Sequence, residues 1–128
     1  MKVLYKNSKI KKICTDEKEA NKKLPFAIVE KLFAVINLLS IASNLKDMLA
    51  FPQYNLHALK ANLSGMYSIY LGKTSGYRLL LTPLDENEMP VKSNDMSIYT
   101  TTVCVEIMEV SKHYEWKNKK SISSWLLY

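Results

Sequence analysis

The chain has 128 residues, of which 48% are hydrophobic and 23% charged, and its net charge is +6. That length buries roughly two-thirds of the unfolded surface in one domain, and the composition excludes a disordered chain. Two cysteines, Cys14 and Cys104, exclude a disulfide scaffold; three glycines, Gly65, Gly72 and Gly76, exclude a Walker loop and a dinucleotide fingerprint.

In chain order, residues 2–5 read as a short strand. Residues 8–23 are a lysine-rich helical stretch with a break near Thr15 and Asp16, where Thr15 is expected to cap a second turn. Pro25 suits the first turn of the main helix, which runs to about Ala42. Its apolar face carries Phe26, Val29, Phe33, Ile36 and Leu39 and is widened by Leu32, Val35 and Leu38. So wide a face is covered from two sides, by a sheet and by either another helix of this chain or a partner. Asn44 is a candidate cap for a short helix ending at Ala50, stopped by Pro52.

The remainder reads as antiparallel sheet. Residues 55–59 form a short strand. Residues 66–71 alternate, with Tyr67, Ile69 and Leu71 on one face and Ser68 and Tyr70 on the other. A turn with glycine at each end, Gly72 and Gly76, leads to a return strand over 77–81, with Arg78 and Leu80 opposite Tyr77, Leu79 and Leu81. Residues 83–102 read as a polar loop opened by Pro83. Residues 103–110 form a last strand, and 116–128 a tail ending in Trp125, Leu126, Leu127 and Tyr128. Helices segregated from strands predict a single α+β domain over 1–128, with the N-terminal strand and helices on one face of an antiparallel sheet. The other sheet face is expected to be open, displaying Ser68, Tyr70, Arg78 and Glu106.

Charge is uneven. Residues 1–23 hold eight lysines and three acids, and residues 55–82 hold Lys60, Lys73 and Arg78 with no acid. Such a surface suits a polyanion or an acidic protein, or simply keeps the chain in solution. Glu30, Lys31 and Asn37 interrupt the apolar run of the main helix, so that run predicts a buried helix of a cytoplasmic protein, with no membrane partner.

The polar residues with chemical potential are His57, Lys60, Tyr70, Lys73, Arg78, His113 and Tyr114. Imidazole with cationic groups suits phosphodiester cleavage that uses no metal or cofactor. A 2′-hydroxyl must lose a proton, a phosphorane must be neutralised and a leaving oxygen must gain a proton. Arg78, the one arginine among eighteen basic residues, presents a planar fork that lysine lacks. The structural alternatives are an Arg78–Glu106 ion pair, a solvated Lys60, and tyrosines that only pack.

The segments Leu56-His57-Ala58-Leu59-Lys60, Gly65-Met66-Tyr67-Ser68-Ile69, Gly76-Tyr77-Arg78-Leu79 and Val105-Glu106-Ile107, followed by His113-Tyr114, resemble in order the motifs of the HigB branch of the RelE/ParE toxins. The resemblance spans about residues 1–115 and implies a compact RelE-like fold. It also implies the toxin of a type II toxin–antitoxin pair: an endoribonuclease that cleaves mRNA on the ribosome, inhibits translation, and is neutralised by a cognate antitoxin. Carried over by position, His57 would serve acid/base chemistry, Lys60 would hold phosphate, Arg78 would stabilise the cleaved phosphate, and His113 would match a terminal histidine, with Tyr114 beside it. Tyr70, Lys73 and Lys112 would contact RNA. The chain departs from the pattern at Tyr70, which replaces an arginine. It departs also at Ser111 and Lys112, which replace an aspartate and a tyrosine, and at Ala61, which replaces a glycine. The alternatives within this fold are a ParE-like inhibitor that binds DNA gyrase and a non-catalytic interaction protein.

Overall fold

The structure, a computed structural model, describes residues 1–72, 74–91 and 95–112. Strand β1 (Lys2–Tyr5) leads into α1 (Ser8–Thr15), α2 (Glu17–Lys23) and α3 (Phe26–Ile41). Two 3-10 turns, Leu45–Ala50 and Pro52–Tyr54, connect to β2 (His57–Ala58). A third, Ala61–Leu63, precedes β3 (Tyr67–Tyr70), β4 (Tyr77–Leu84), α4 (Ile98–Thr101) and β5 (Cys104–Lys112). The fold is α+β, with a five-stranded sheet in the order β1-β5-β4-β3-β2. β1 runs parallel to β5, and the other neighbouring pairs are antiparallel.

Local chemistry explains the helix ends. The Asn7 side chain accepts from the Ile10 N–H at 2.9 Å and starts α1. The break after α1 falls where the sequence predicts it, but the cap of α2 is Asp16, which accepts from the N–H groups of Lys18 and Glu19. Thr15, the expected cap, instead donates its hydroxyl to the Lys11 carbonyl at 2.6 Å and stays in the last turn of α1. Glu17 and Glu19 open α2 and Lys22 and Lys23 close it, each charge complementing the helix dipole.

α3 turns a different stripe to the core than its aromatic residues suggest. Ile28, Val29, Leu32, Val35, Ile36 and Leu39 are buried, whereas Phe26 is 63% exposed. Leu32, Val35 and Leu39 pack in one cluster with Ile69, Leu79, Leu81, Val105 and Ile107 of the sheet. Part of the wide apolar face is covered from within the chain, by α1, α2 and the turn carrying buried Leu45 and Met48. Among the described residues no helix is long and apolar enough to cross a membrane.

Two strands run further than alternation alone predicts. β4 continues through Pro83 to Leu84, because the Pro83 carbonyl faces away from β5 and accepts from the Val91 N–H at 3.1 Å. A missing N–H on that side removes no β4–β5 hydrogen bond. β5 carries an irregularity opposite Leu80 and Leu81, where Leu80 pairs with Glu109 and Leu81 with Ile107. The extra residue inverts the facing of everything after it. Val110 therefore returns to the helix side with Tyr77, and Met108 joins Leu80 on the other side.

That other side is not bare. Leu59, Leu63 and Leu80 are buried together there, with Met66 and Met108 against them. The turn over Ala61–Leu63 thus lids one end of the outer face and leaves the region toward Tyr70 and Arg78 accessible.

Both cysteines are free and buried. Burial pushes the Cys14 thiol up from 9.0 to about 12, and also raises the Cys104 thiol. A thiol held neutral by the fold adds stability that is complete below its unfolded value and is lost as the pH climbs through the folded one. The expected result is therefore silence toward a thiol-reactive disulfide reagent at pH 8 until urea unfolds the chain. In the Cys14→Ala variant, less stability should be lost between pH 9.0 and about 12 than in the parent.

Candidate functional site

The site is a row of side chains crossing three strands on the face away from α3. His57 on β2 is registered with Ser68 on β3, and Tyr70, two residues further along β3, is registered with Arg78 on β4. Alternation puts all four on one face. The His57 and Tyr70 rings meet edge to face, 6.1 Å between centroids at 81°. The Arg78 guanidinium carbon lies 5.0 Å from the centre of the same tyrosine ring, a cation–π contact. Tyr70 stands between the imidazole and the guanidinium, touching both.

The Asn55 carbonyl orients the His57 ring and selects one tautomer of its neutral form. The ring Nδ1 lies 2.7 Å from the Asn55 carbonyl oxygen. A carbonyl only accepts, so Nδ1 carries the proton and the neutral ring keeps its lone pair on Nε2. Asn55 is itself in the left-handed region, φ 45°, a conformation asparagine tolerates well. Sequence reasoning passed over Asn55, because a main-chain carbonyl leaves no mark in the residue type.

The second local constraint is Ala61, at φ 56° just after Lys60. A Cβ is strained there, and this is the position where the resembling motif has glycine. Ala61→Gly is expected to raise stability by about 0.5–1 kcal/mol, read as a higher urea midpoint at unchanged slope. A lower midpoint would mean that the Cβ contributes more by packing than it costs in strain.

Beneath the row, Ser68 is fully buried and its hydroxyl has no hydrogen-bond partner. Such a group costs about 1–3 kcal/mol, so packing favours a small apolar residue at this position. Ser111, registered with Arg78, is also buried on this face.

The remaining sequence candidates divide. Lys60 is exposed at the start of the third 3-10 turn, three positions from His57, and makes no side-chain hydrogen bond or ion pair among the described residues. Lys112 lies on the helix side of the sheet: it is registered with Tyr77, and its ammonium is 5.2 Å from that ring's centre. The irregularity in β5 is the cause, and it separates Lys112 from the row of His57, Tyr70 and Arg78. Glu106 is registered with Thr82, four residues along β4 from Arg78, so the Arg78–Glu106 pair does not form. Lys73, His113 and Tyr114 lie outside the described residues.

Chemically, the row offers a proton acceptor at Nε2, a fixed positive fork and an aromatic face, in a segment from 55 to 82 that contains no acid. No protein-family model matches the chain. No curated protein matches it. Among solved structures, the YoeB/ParE toxin from Agrobacterium tumefaciens is similar over 89% of this chain and 100% of that one, at 17% identity and a TM-score of 0.47.

Proposed function

We propose that this chain is a toxin-type endoribonuclease that cleaves mRNA on the ribosome without a metal ion. The observation that carries the reading is the row His57, Tyr70 and Arg78, with the imidazole proton committed to Asn55. In the proposed step, His57 Nε2 takes the proton of a ribose 2′-hydroxyl, and the freed oxygen attacks the adjacent phosphorus. The bond to the 5′-oxygen breaks, leaving a 2′,3′-cyclic phosphate and a 5′-hydroxyl. Arg78 spreads the charge of the phosphorane over its fork, an interaction that strengthens as charge develops. Tyr70 holds the guanidinium over its ring and packs edge to face with the ring of His57. The proton delivered to the leaving oxygen comes from a second group, for which the motif resemblance nominates His113, with Lys60 on the phosphate. The partners implied are mRNA, the ribosome and a cognate antitoxin, and the site of action is the cytoplasm.

The order of the four sequence motifs and the basic, acid-free segment around the row support the same reading. The test is expression of the full chain from a tight promoter, followed by primer extension on cellular mRNA and by cleavage of ribosome-bound mRNA with the purified chain. New 5′-hydroxyl ends in both experiments are expected. Intact mRNA together with loss of supercoiling activity by DNA gyrase would transfer the chain to the gyrase-binding class. Intact mRNA and normal gyrase would leave an interaction protein.

A further inference from the structure

An apolar face as wide as that of α3 needs cover on two sides, and the sheet supplies one of them. Ile28, Val29, Leu32, Val35, Ile36 and Leu39 are the residues buried there. On the opposite side of the helix, Phe26, Glu30, Phe33, Asn37 and Ser40 follow one another at alternating spacings of four and three residues. That repeat keeps a seam on one face of a helix. Phe26 is 63% exposed at one end of the seam and Ile41 70% exposed at the other, with half-buried Phe33 between them. Ala27 and Ala34, both exposed, border it.

The seam is complementary to itself. A twofold axis passing between Phe33 and Ala34 sets two copies of α3 antiparallel and puts each Phe26 against Ile41 of the other copy. The same axis puts Phe33 against Ala34, Glu30 against Asn37 and Ala27 against Ser40. Large side chains thus meet aliphatic or small ones, and each carboxylate meets an amide that can donate to it. Ser40 donates its hydroxyl back to the Ile36 carbonyl at 2.9 Å, so it presents little bulk to Ala27. Lys31, the one cation of the helix, is turned aside, its stem 3.4 Å from the place a Cβ would take on Gly72. A parallel pairing would instead set Glu30 against Glu30, a like-charge contact.

We infer that this seam is an interface between two copies of the chain, joined antiparallel through α3. The helix has 16 residues and is about 24 Å long, so the seam removes roughly 400 Å² per copy from water, about half of a standard-size interface. The pairing is therefore reversible, with a dissociation constant expected between about 10 and about 300 μM. RNA is disfavoured as the occupant, because the seam offers one carboxylate and no cation. The inference does not depend on the outer-face chemistry. The row of His57, Tyr70 and Arg78 lies on the sheet face away from α3, so both rows stay open in the pair.

The test uses the full chain. Sedimentation equilibrium from about 5 μM to about 1 mM is expected to show monomer passing to dimer and nothing larger, since a twofold contact closes on itself. Phe26→Glu and Ile41→Lys should each raise the dissociation constant at least about tenfold. Both changes suit the helix dipole, an acid at the start and a base at the end, so the urea midpoint of dilute protein should not move. The double variant should recover association at low salt and lose it at high salt, because its two new charges face each other across the axis. Cross-linking checks the register, since Cys14 and Cys104 are buried. With oxidised glutathione as oxidant, Ala34→Cys, beside the axis, should form a disulfide-linked dimer. Ala27→Cys should not link to itself, and should link to Ser40→Cys when the two are mixed. A chain still monomeric at about 1 mM, association unchanged in both Phe26→Glu and Ile41→Lys, or Ala27→Cys joined to itself in place of Ser40→Cys would each overturn the inference.

Discussion

His57→Ala is expected to slow cleavage of ribosome-bound mRNA by about 10²–10⁴-fold, the range typical of losing a positioned general base. The histidine is only half-buried, and its side-chain hydrogen bond among the described residues is to the Asn55 carbonyl, so the fold should survive the change. His57→Gln sharpens the result: its amide can still donate to a carbonyl but cannot accept a proton usefully, so stability should hold while the rate stays low. Arg78→Ala should cost about 10²–10³-fold through lost stabilisation of the phosphorane, and Arg78→Lys should recover part of it, since the charge remains and the fork is gone. Tyr70→Phe should keep most activity, because the ring contacts to His57 and Arg78 need no hydroxyl. Single-turnover rates beside thermal unfolding curves separate these cases. Full activity in both His57→Ala and Arg78→Ala would remove the outer row from consideration as the site of chemistry.

Leu32→Ala is expected to have the largest effect on stability, about 2–5 kcal/mol, a large part of the total for a domain of this size. Leu32 is fully buried in the cluster that joins α3 to the sheet strands. α3 is too apolar to be held by surface contacts, so a cavity at its centre weakens the main seam of the molecule. Phe26→Ala, on the same helix but 63% exposed, should change stability by no more than about 0.5 kcal/mol. Urea unfolding of the two variants checks the contrast; equal losses would mean that α3 packs on the sheet through a different stripe.

What the sequence made legible is what repeats regularly. The strict alternation from Tyr67 to Leu71 and the glycines at 72 and 76 mark the β3–β4 hairpin, and the three- and four-residue spacing in α3 marks its helix. Burial then depends on details that residue type does not carry. Phe26 reads as core and is exposed, because the stripe facing the sheet starts at Ile28 and Val29. The stretch 45–50 reads as a short helix and forms a 3-10 turn, a difference of one residue in hydrogen-bond spacing. Asn44 is not a side-chain cap there; its amide donates to the Thr100 carbonyl on α4, a contact far away in sequence. Strict alternation through β5 would carry Lys112 to the outer face, and the irregularity opposite Leu80 and Leu81 turns it to the other. The row itself was half legible: alternation gives Ser68, Tyr70 and Arg78 a common face, but the Asn55 carbonyl that orients His57 is main chain.

The parallel pairing of β1 with β5 has a consequence for how the chain is made. Lys2 and Cys104 are partners about 100 residues apart, a closure that costs roughly 4 kcal/mol in chain entropy and arrives only when β5 has left the ribosome. The β2–β3–β4 meander, by contrast, needs only neighbours already synthesised. During its own translation the molecule therefore has the strands bearing His57, Tyr70 and Arg78 before it has β5, the strand that joins them to β1, and a copy halted before residue 104 is left with raw edges on both β1 and β4.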